Sequence, residues 1–162
     1  NRKFMLNELQ NYLTFESIYL WANFGVLPFW LMIIFVPHLK ITRILVNSII
    51  IPLLLGSAYC YVVYQGILFG NIFFIENFNL YQGLDNLYTI FSNEIFLLIF
   101  WLHFLALNIF LGSWLSRDAI KYNIPRGAVF VPIVLVYFAG PVGLILYWFI
   151  RIFYAKKISL YD

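Results

Sequence analysis

The chain has 162 residues, of which 64% are apolar, 22% aromatic and only 10% charged, and its formal net charge is +3. A water-soluble domain carries about a quarter charged residues, so this composition excludes an ordinary soluble domain and indicates a surface that faces lipid. The lysines and arginines form no dense basic patch, which argues against nucleic acid as a partner. The single cysteine, Cys60, cannot form an internal disulfide.

The order of polar and apolar segments predicts an all-α integral membrane protein. Residues 1–16 are predicted to be a polar, interfacial N-terminal segment. Four long runs without Asp, Glu, Lys or Arg follow, at about 17–37, 44–69, 95–116 and 127–150. Each is long enough to cross a hydrocarbon layer of about 30 Å as a helix. We therefore expect a four-transmembrane-helix bundle over residues 17–154 and a C-terminal tail over 155–162.

Prolines and basic residues bear on the shape and orientation of this bundle. Prolines lie inside three of the runs, at Pro28, Pro52, Pro132 and Pro141, and predict kinked helices.

Four crossings would place five basic residues on each side of the membrane, so the positive-inside rule predicts no orientation. One side would carry Arg2, Lys3, Arg151, Lys156 and Lys157, and the other Lys40, Arg43, Arg117, Lys121 and Arg126. The sequence does not distinguish which membrane holds the protein: the plastid thylakoid or envelope, the mitochondrial inner membrane, or a bacterial inner membrane.

The third run, together with Glu94 just before it, carries the polar side chains most relevant to function. Glu94, Trp101 and Asn108 are spaced by seven residues and share one helix face, whereas His103 lies on another. One interpretation is that Trp101, His103 and Asn108 bind a pigment, either carotenoid or chlorophyll. The other is that they pack helices, with Asn108 bonding to a neighbouring helix. Two histidines and one cysteine at unrelated spacings predict no metal site.

Seven segments occur in order along the chain: Ala22-Asn23, LPFWLMIIFVP (27–37), Thr42-Arg43, FSNE (91–94), WLHFLALNIFLGSW (101–114), RDAIKYNIP (117–125) and GPVGLILYW (140–148). This ordered set resembles the ABA4-like (abscisic acid deficient 4-like) membrane protein family. The resemblance implies four membrane helices and a role in xanthophyll metabolism.

The resemblance also implies a chemistry and candidate residues for it. Plant members of the family are required to make neoxanthin from violaxanthin, which opens an epoxide to an allene and needs a general acid and a general base. By family position, Glu94 and His103 would be the catalytic residues. The family pattern His-x-x-x-x-Asp-x-Phe has Asn108 at its acidic position here. Two functions therefore stay open: a carotenoid-handling protein, enzymatic or not, and a non-catalytic accessory subunit of a larger photosynthetic or respiratory membrane complex.

Overall fold

The computed structural model describes residues 13–69 and 80–159, and within these ranges it contains seven α-helices and no strand. The expected N-terminal segment and the last residues of the tail lie largely outside the described residues. The helices are α1 (Phe15–Phe35), α2 (Lys40–Leu45), α3 (Ile50–Leu68), α4 (Leu84–Phe91), α5 (Glu94–Lys121), α6 (Arg126–Phe138) and α7 (Gly140–Ala155).

Side-chain caps explain where two of the long helices begin. The Asn93 carboxamide oxygen accepts hydrogen bonds from the backbone N–H groups of Ile95 and Phe96, at 3.0 and 3.1 Å. The Thr14 hydroxyl accepts one from the N–H of Ser17 at 3.1 Å. Such caps satisfy backbone donors that a helix leaves free at its first turn. The segment FSNE thus ends one helix, caps the next and supplies its first residue.

Among the described residues, three stretches are long and apolar enough to cross a membrane: Phe15–Phe35, Lys40–Leu68 and Glu94–Lys121. They agree with the runs expected at 17–37, 44–69 and 95–116. The second differs in detail, because the backbone leaves the helix between α2 and α3. The 21 residues of α1 rise about 32 Å, enough to span the hydrocarbon layer.

The fourth run does not form the single helix expected over 127–150. It consists of α6, with 13 residues, and α7, with 16. The break falls at Ala139, whose φ of −150° and ψ of 76° are not helical. Pro141 has no N–H group to continue the hydrogen-bond ladder of α6 across this point, so the chain turns and starts a new helix. Pro28 and Pro132 lie inside continuous helices, and Pro52 is the third residue of α3.

The chain forms two compact units, unit 1 (residues 1–24 and 54–105) and unit 2 (residues 25–53 and 106–162). The buried core of unit 1 includes Ile18, Val62 and Leu102. That of unit 2 includes Ile33, Val46, Ile109, Leu115, Val136 and Tyr147.

Within unit 2, α6 and α7 form a helical hairpin that doubles back along α5. Gly140, at the start of α7, packs against Asn108 of α5. Eleven residues further along α7, Arg151 bonds to Asp118 of α5, so α7 runs in the same direction as this part of α5. Because α6 starts just after α5 ends and finishes at Ala139, it runs in the opposite direction. Arg126 and Ala155 therefore lie at the same end of the hairpin.

This hairpin changes the expected division of the basic residues. Arg151, Lys156 and Lys157 were expected on the side opposite Arg126, on the assumption that one membrane-spanning helix joined them. The hairpin instead returns all three to the end at which α5 finishes. All ten lysines and arginines except Arg2 and Lys3 belong to unit 2.

The hairpin requires a glycine at position 143. A Cβ atom there would lie 2.5 Å from the backbone nitrogen of Val136 and 2.6 Å from the backbone oxygen of Pro132. We expect Gly143→Ala to lower the free energy of unfolding by about 1–3 kcal/mol, because the backbone of α6 cannot move aside cheaply. Thermal unfolding in mild detergent measures the change.

Gly56→Ala is the matched control for this variant. A Cβ at Gly56, in α3, meets nothing within 4 Å. Alanine there should be neutral or stabilise by about 0.5–1 kcal/mol through its higher helix propensity. Equal unfolding temperatures for the two variants would contradict the close approach of α6 and α7.

Candidate functional site

A groove in unit 1 brings together aromatic side chains and two carboxylates. Its volume is about 560 Å³, within the range of about 300–1,000 Å³ that is usual for small-molecule pockets. The first turns of α1 and α5 contribute one carboxylate each, from Glu16 and Glu94. The lining residues are Phe15, Glu16, Tyr19, Glu94, Leu97, Leu98 and Trp101.

Trp101 is held in place at this groove. Its indole N–H donates a hydrogen bond of 3.0 Å to the Asn23 carboxamide oxygen. The Asn23 amide in turn donates to the backbone oxygen of Tyr19 at 2.7 Å. The rings of Tyr19 and Phe104 lie 6.3 and 5.3 Å from that of Trp101, centre to centre. A partly buried indole with its donor satisfied presents a fixed apolar face.

The two glutamates give the groove its chemical capacity. Both are exposed, and both lie in the first turn of a helix. Two carboxyl groups at one apolar groove can act as hydrogen-bond partners for a hydroxyl or epoxide oxygen, or as general acid and general base. The position of Glu16 was not predicted from sequence, because it precedes the first apolar run whereas Glu94 precedes the third.

The structure brings together only part of the predicted site. Glu94 and Trp101 line the same groove, as their shared helix face predicts. His103 is not among the lining residues. It is exposed, and its ring lies 6.2 Å from that of Tyr59 on α3. Catalysis by His103 with Glu94 therefore stays a prediction, as does pigment binding by His103.

Asn108 belongs to unit 2 and packs at the tip of the hairpin. It is 7% exposed, and a Cβ at Gly140 would overlap its carboxamide oxygen. Its amide nitrogen has no hydrogen-bond partner among the described residues. The hydrogen bond that the helix-packing interpretation expected from Asn108 is therefore not made by this nitrogen. Gly112, one turn further along α5, accommodates the ring of Trp30.

A buried ion pair in unit 2 was missed by the sequence analysis. Arg151, with a side chain 1% exposed, donates from Nε to Asp118 Oδ2 at 2.7 Å. Tyr147 donates its hydroxyl hydrogen to the same oxygen, also at 2.7 Å. The other guanidinium nitrogens bond to the backbone oxygens of Lys157 and Ser159 and to the Tyr122 hydroxyl. Sequence gave little signal for this, since Asp118 and Arg151 each follow a different apolar run.

No metal site accompanies these features in the part of the chain that the structure describes. Over residues 13–69 and 80–159, no three His, Cys, Asp or Glu side chains are grouped as a metal ion would require.

The fold defines a class: over residues 13–69 and 80–159 the protein is helical without strands, and three stretches there are long and apolar enough to span a membrane. A family model described as ABA4-like (ABA DEFICIENT 4-like) matches residues 17–147. The match covers most of the chain, which therefore belongs to that family. No curated protein and no solved structure gave a significant match.

The ion pair leads to a prediction about stability. Asp118→Asn leaves the Arg151 guanidinium buried without a counter-charge, and removing one partner of a buried pair costs about 3–5 kcal/mol. We expect a large drop in the thermal unfolding temperature in detergent. Asp85→Asn makes the same chemical change at an exposed position on α4 and should have little effect. Similar shifts for the two variants would show that the pair does not hold α7.

Proposed function

We propose that this ABA4-like protein handles a xanthophyll or a related carotenoid, with one end ring of the pigment in the groove of unit 1. The observation that carries the proposal is the pairing of Glu16 and Glu94 at a groove walled by Phe15, Tyr19 and Trp101. Carotenoid end groups are apolar rings that carry hydroxyl or epoxide oxygens. The aromatic wall suits the ring, and the carboxyl groups suit its oxygen.

The groove also supports a chemistry for the reaction that the family resemblance implies. Opening an epoxide to an allene places a proton on the epoxide oxygen and removes one from carbon, so one carboxyl group must be protonated and the other ionised. Glu16 and Glu94 line the same groove and can divide these roles. Asn108 does not line this groove, and its oxygen packs against Gly140. Its substitution for the family's acidic residue therefore leaves this pair of carboxylates intact.

Pigment content tests the proposal. The protein is purified in mild detergent from cells that make violaxanthin, and its absorption spectrum and native-gel migration are recorded. We expect a carotenoid spectrum at the monomer size. Trp101→Ala should weaken pigment binding roughly thirtyfold or more, since losing an aromatic anchor costs about 2 kcal/mol or more. Trp21→Ala is the control, because Trp21 lies on α1 of unit 1, is 74% exposed and does not line the groove.

Glu16→Gln and Glu94→Gln separate binding from chemistry. Both should retain pigment, because glutamine keeps the hydrogen bonds, and both should lose conversion to a neoxanthin-type product. A pigment-free band inside a large complex would overturn the proposal and favour the accessory-subunit function.

We further propose that the chain crosses the membrane three times and that α6 and α7 form a re-entrant hairpin. Helices of 13 and 16 residues rise only about 20 and 24 Å, less than the hydrocarbon thickness. Their outer ends lie together, as the Asp118–Arg151 pair requires. The end that carries the eight basic residues of unit 2 then faces the cytoplasm or its equivalent. Four crossings, the expectation from sequence, remain the alternative.

Cysteine labelling distinguishes the two topologies. Single cysteines are placed at Lys121, Lys157 and Asp85 in a Cys60→Ala background, and sealed vesicles are treated with a membrane-impermeant maleimide. The hairpin predicts that Lys121→Cys and Lys157→Cys react from the same side and Asp85→Cys from the other. If Lys157→Cys instead shares its side with Asp85→Cys, α6 and α7 together make a fourth crossing.

A further inference from the structure

A crevice in unit 2, separate from the proposed pigment groove, has a polar end and an apolar end. The polar end is a cavity of about 290 Å³, at which His38, Asn123 and Arg126 meet apolar side chains of α1 and α6. The apolar end is a second cavity of about 310 Å³, lined by Leu27, Trp30, Leu31, Ile34, Val134 and Tyr137. Ile34 lines both cavities, so they adjoin along α1.

The polar end lies where membrane-facing helices stop. His38 follows the end of α1, Asn123 follows α5, and Arg126 is the first residue of α6. All three are exposed. The apolar cavity lies deeper, beside residues in the middle of α1. An elongated ligand in this crevice would therefore hold a polar group at the helix ends and a hydrocarbon chain against the helices.

Charge decides which polar group fits. Unit 2 carries eight lysines and arginines, and Asp118 is its single acidic residue within the described residues. The Asp118 carboxylate accepts hydrogen bonds from Arg151 and Tyr147. It is therefore already paired and does not compete with an anionic ligand for Arg126. Guanidinium groups bind phosphate through charge-assisted hydrogen bonds, and basic pockets between membrane helices suit anionic headgroups.

We propose that this crevice binds an anionic phospholipid. The phosphate lies at Arg126 and His38, and one acyl chain passes Ile34 into the cavity between α1 and α6. A zwitterionic phospholipid carries a quaternary ammonium that cancels the charge of its phosphate, so the basic surroundings do not favour its headgroup. A free phosphate compound would leave the apolar cavity unused.

Thermal shift and native mass spectrometry of the full chain in detergent test the proposal, with phosphatidylglycerol and phosphatidylcholine of identical acyl chains as probes. Phosphatidylglycerol should raise the unfolding temperature and remain bound, and phosphatidylcholine should do so far less. Arg126→Gln should weaken phosphatidylglycerol binding about tenfold, as the loss of a charged hydrogen bond implies. Arg117→Gln is the control, because Arg117 is exposed in unit 2 and does not line the crevice.

Two further measurements separate the headgroup from the acyl chain. Ile34→Trp fills the junction of the cavities without changing charge and should also weaken phosphatidylglycerol binding. Glycerol 3-phosphate, which has no acyl chain, should not stabilise the protein. Equal binding of the two lipids, equal effects of Arg126→Gln and Arg117→Gln, or stabilisation by glycerol 3-phosphate that matches the lipid would each overturn the proposal. None of these results depends on the pigment groove.

Discussion

The buried pair of Asp118 and Arg151 is the interaction on which the architecture of unit 2 depends. An arginine 1% exposed is tolerated only with a carboxylate and with acceptors for its remaining donors. Asp118, Tyr122, Lys157 and Ser159 supply them, and they come from α5, the segment after it and the segment after α7. The pair therefore fixes where α7 ends, and the hairpin and the crevice beside α6 follow from that position.

The two proposed sites differ in their chemistry because the charges are distributed unevenly along the chain. The described residues of unit 1 contain Glu16, Asp85 and Glu94 and no lysine or arginine, whereas unit 2 is strongly basic. The groove with two carboxylates suits an uncharged oxygen-bearing ring. The crevice beside Arg126 suits an anion. Both proposed sites have apolar walls. The charge beside those walls, negative in the groove and positive in the crevice, would determine which amphipathic molecule each site binds.

The sequence was sufficient to predict features that depend on the residues of a single segment. Apolar length was enough to locate α1 and α5, and the seven-residue spacing was enough to place Glu94 and Trp101 on one helix face. The break at Ala139 was missed because hydropathy does not register a change in backbone direction within an apolar run. Glu16 and the Asp118–Arg151 pair were missed because each depends on contacts between distant segments, for which a single sequence carries no spacing rule.

The hairpin has a consequence for how the protein is made. Each of α6 and α7 is shorter than the hydrocarbon layer is thick. In the proposed re-entrant topology, the tip residue Ala139 would break the helix inside the bilayer, where no water can solvate the backbone. Such a segment is stable only once α5 offers a surface for Gly140 and a carboxylate for Arg151. We expect α6 and α7 to enter the bilayer after α5 is in place. A ribosome-bound chain that stops before Arg151 would then hold the earlier helices in the membrane and leave the last segment unanchored.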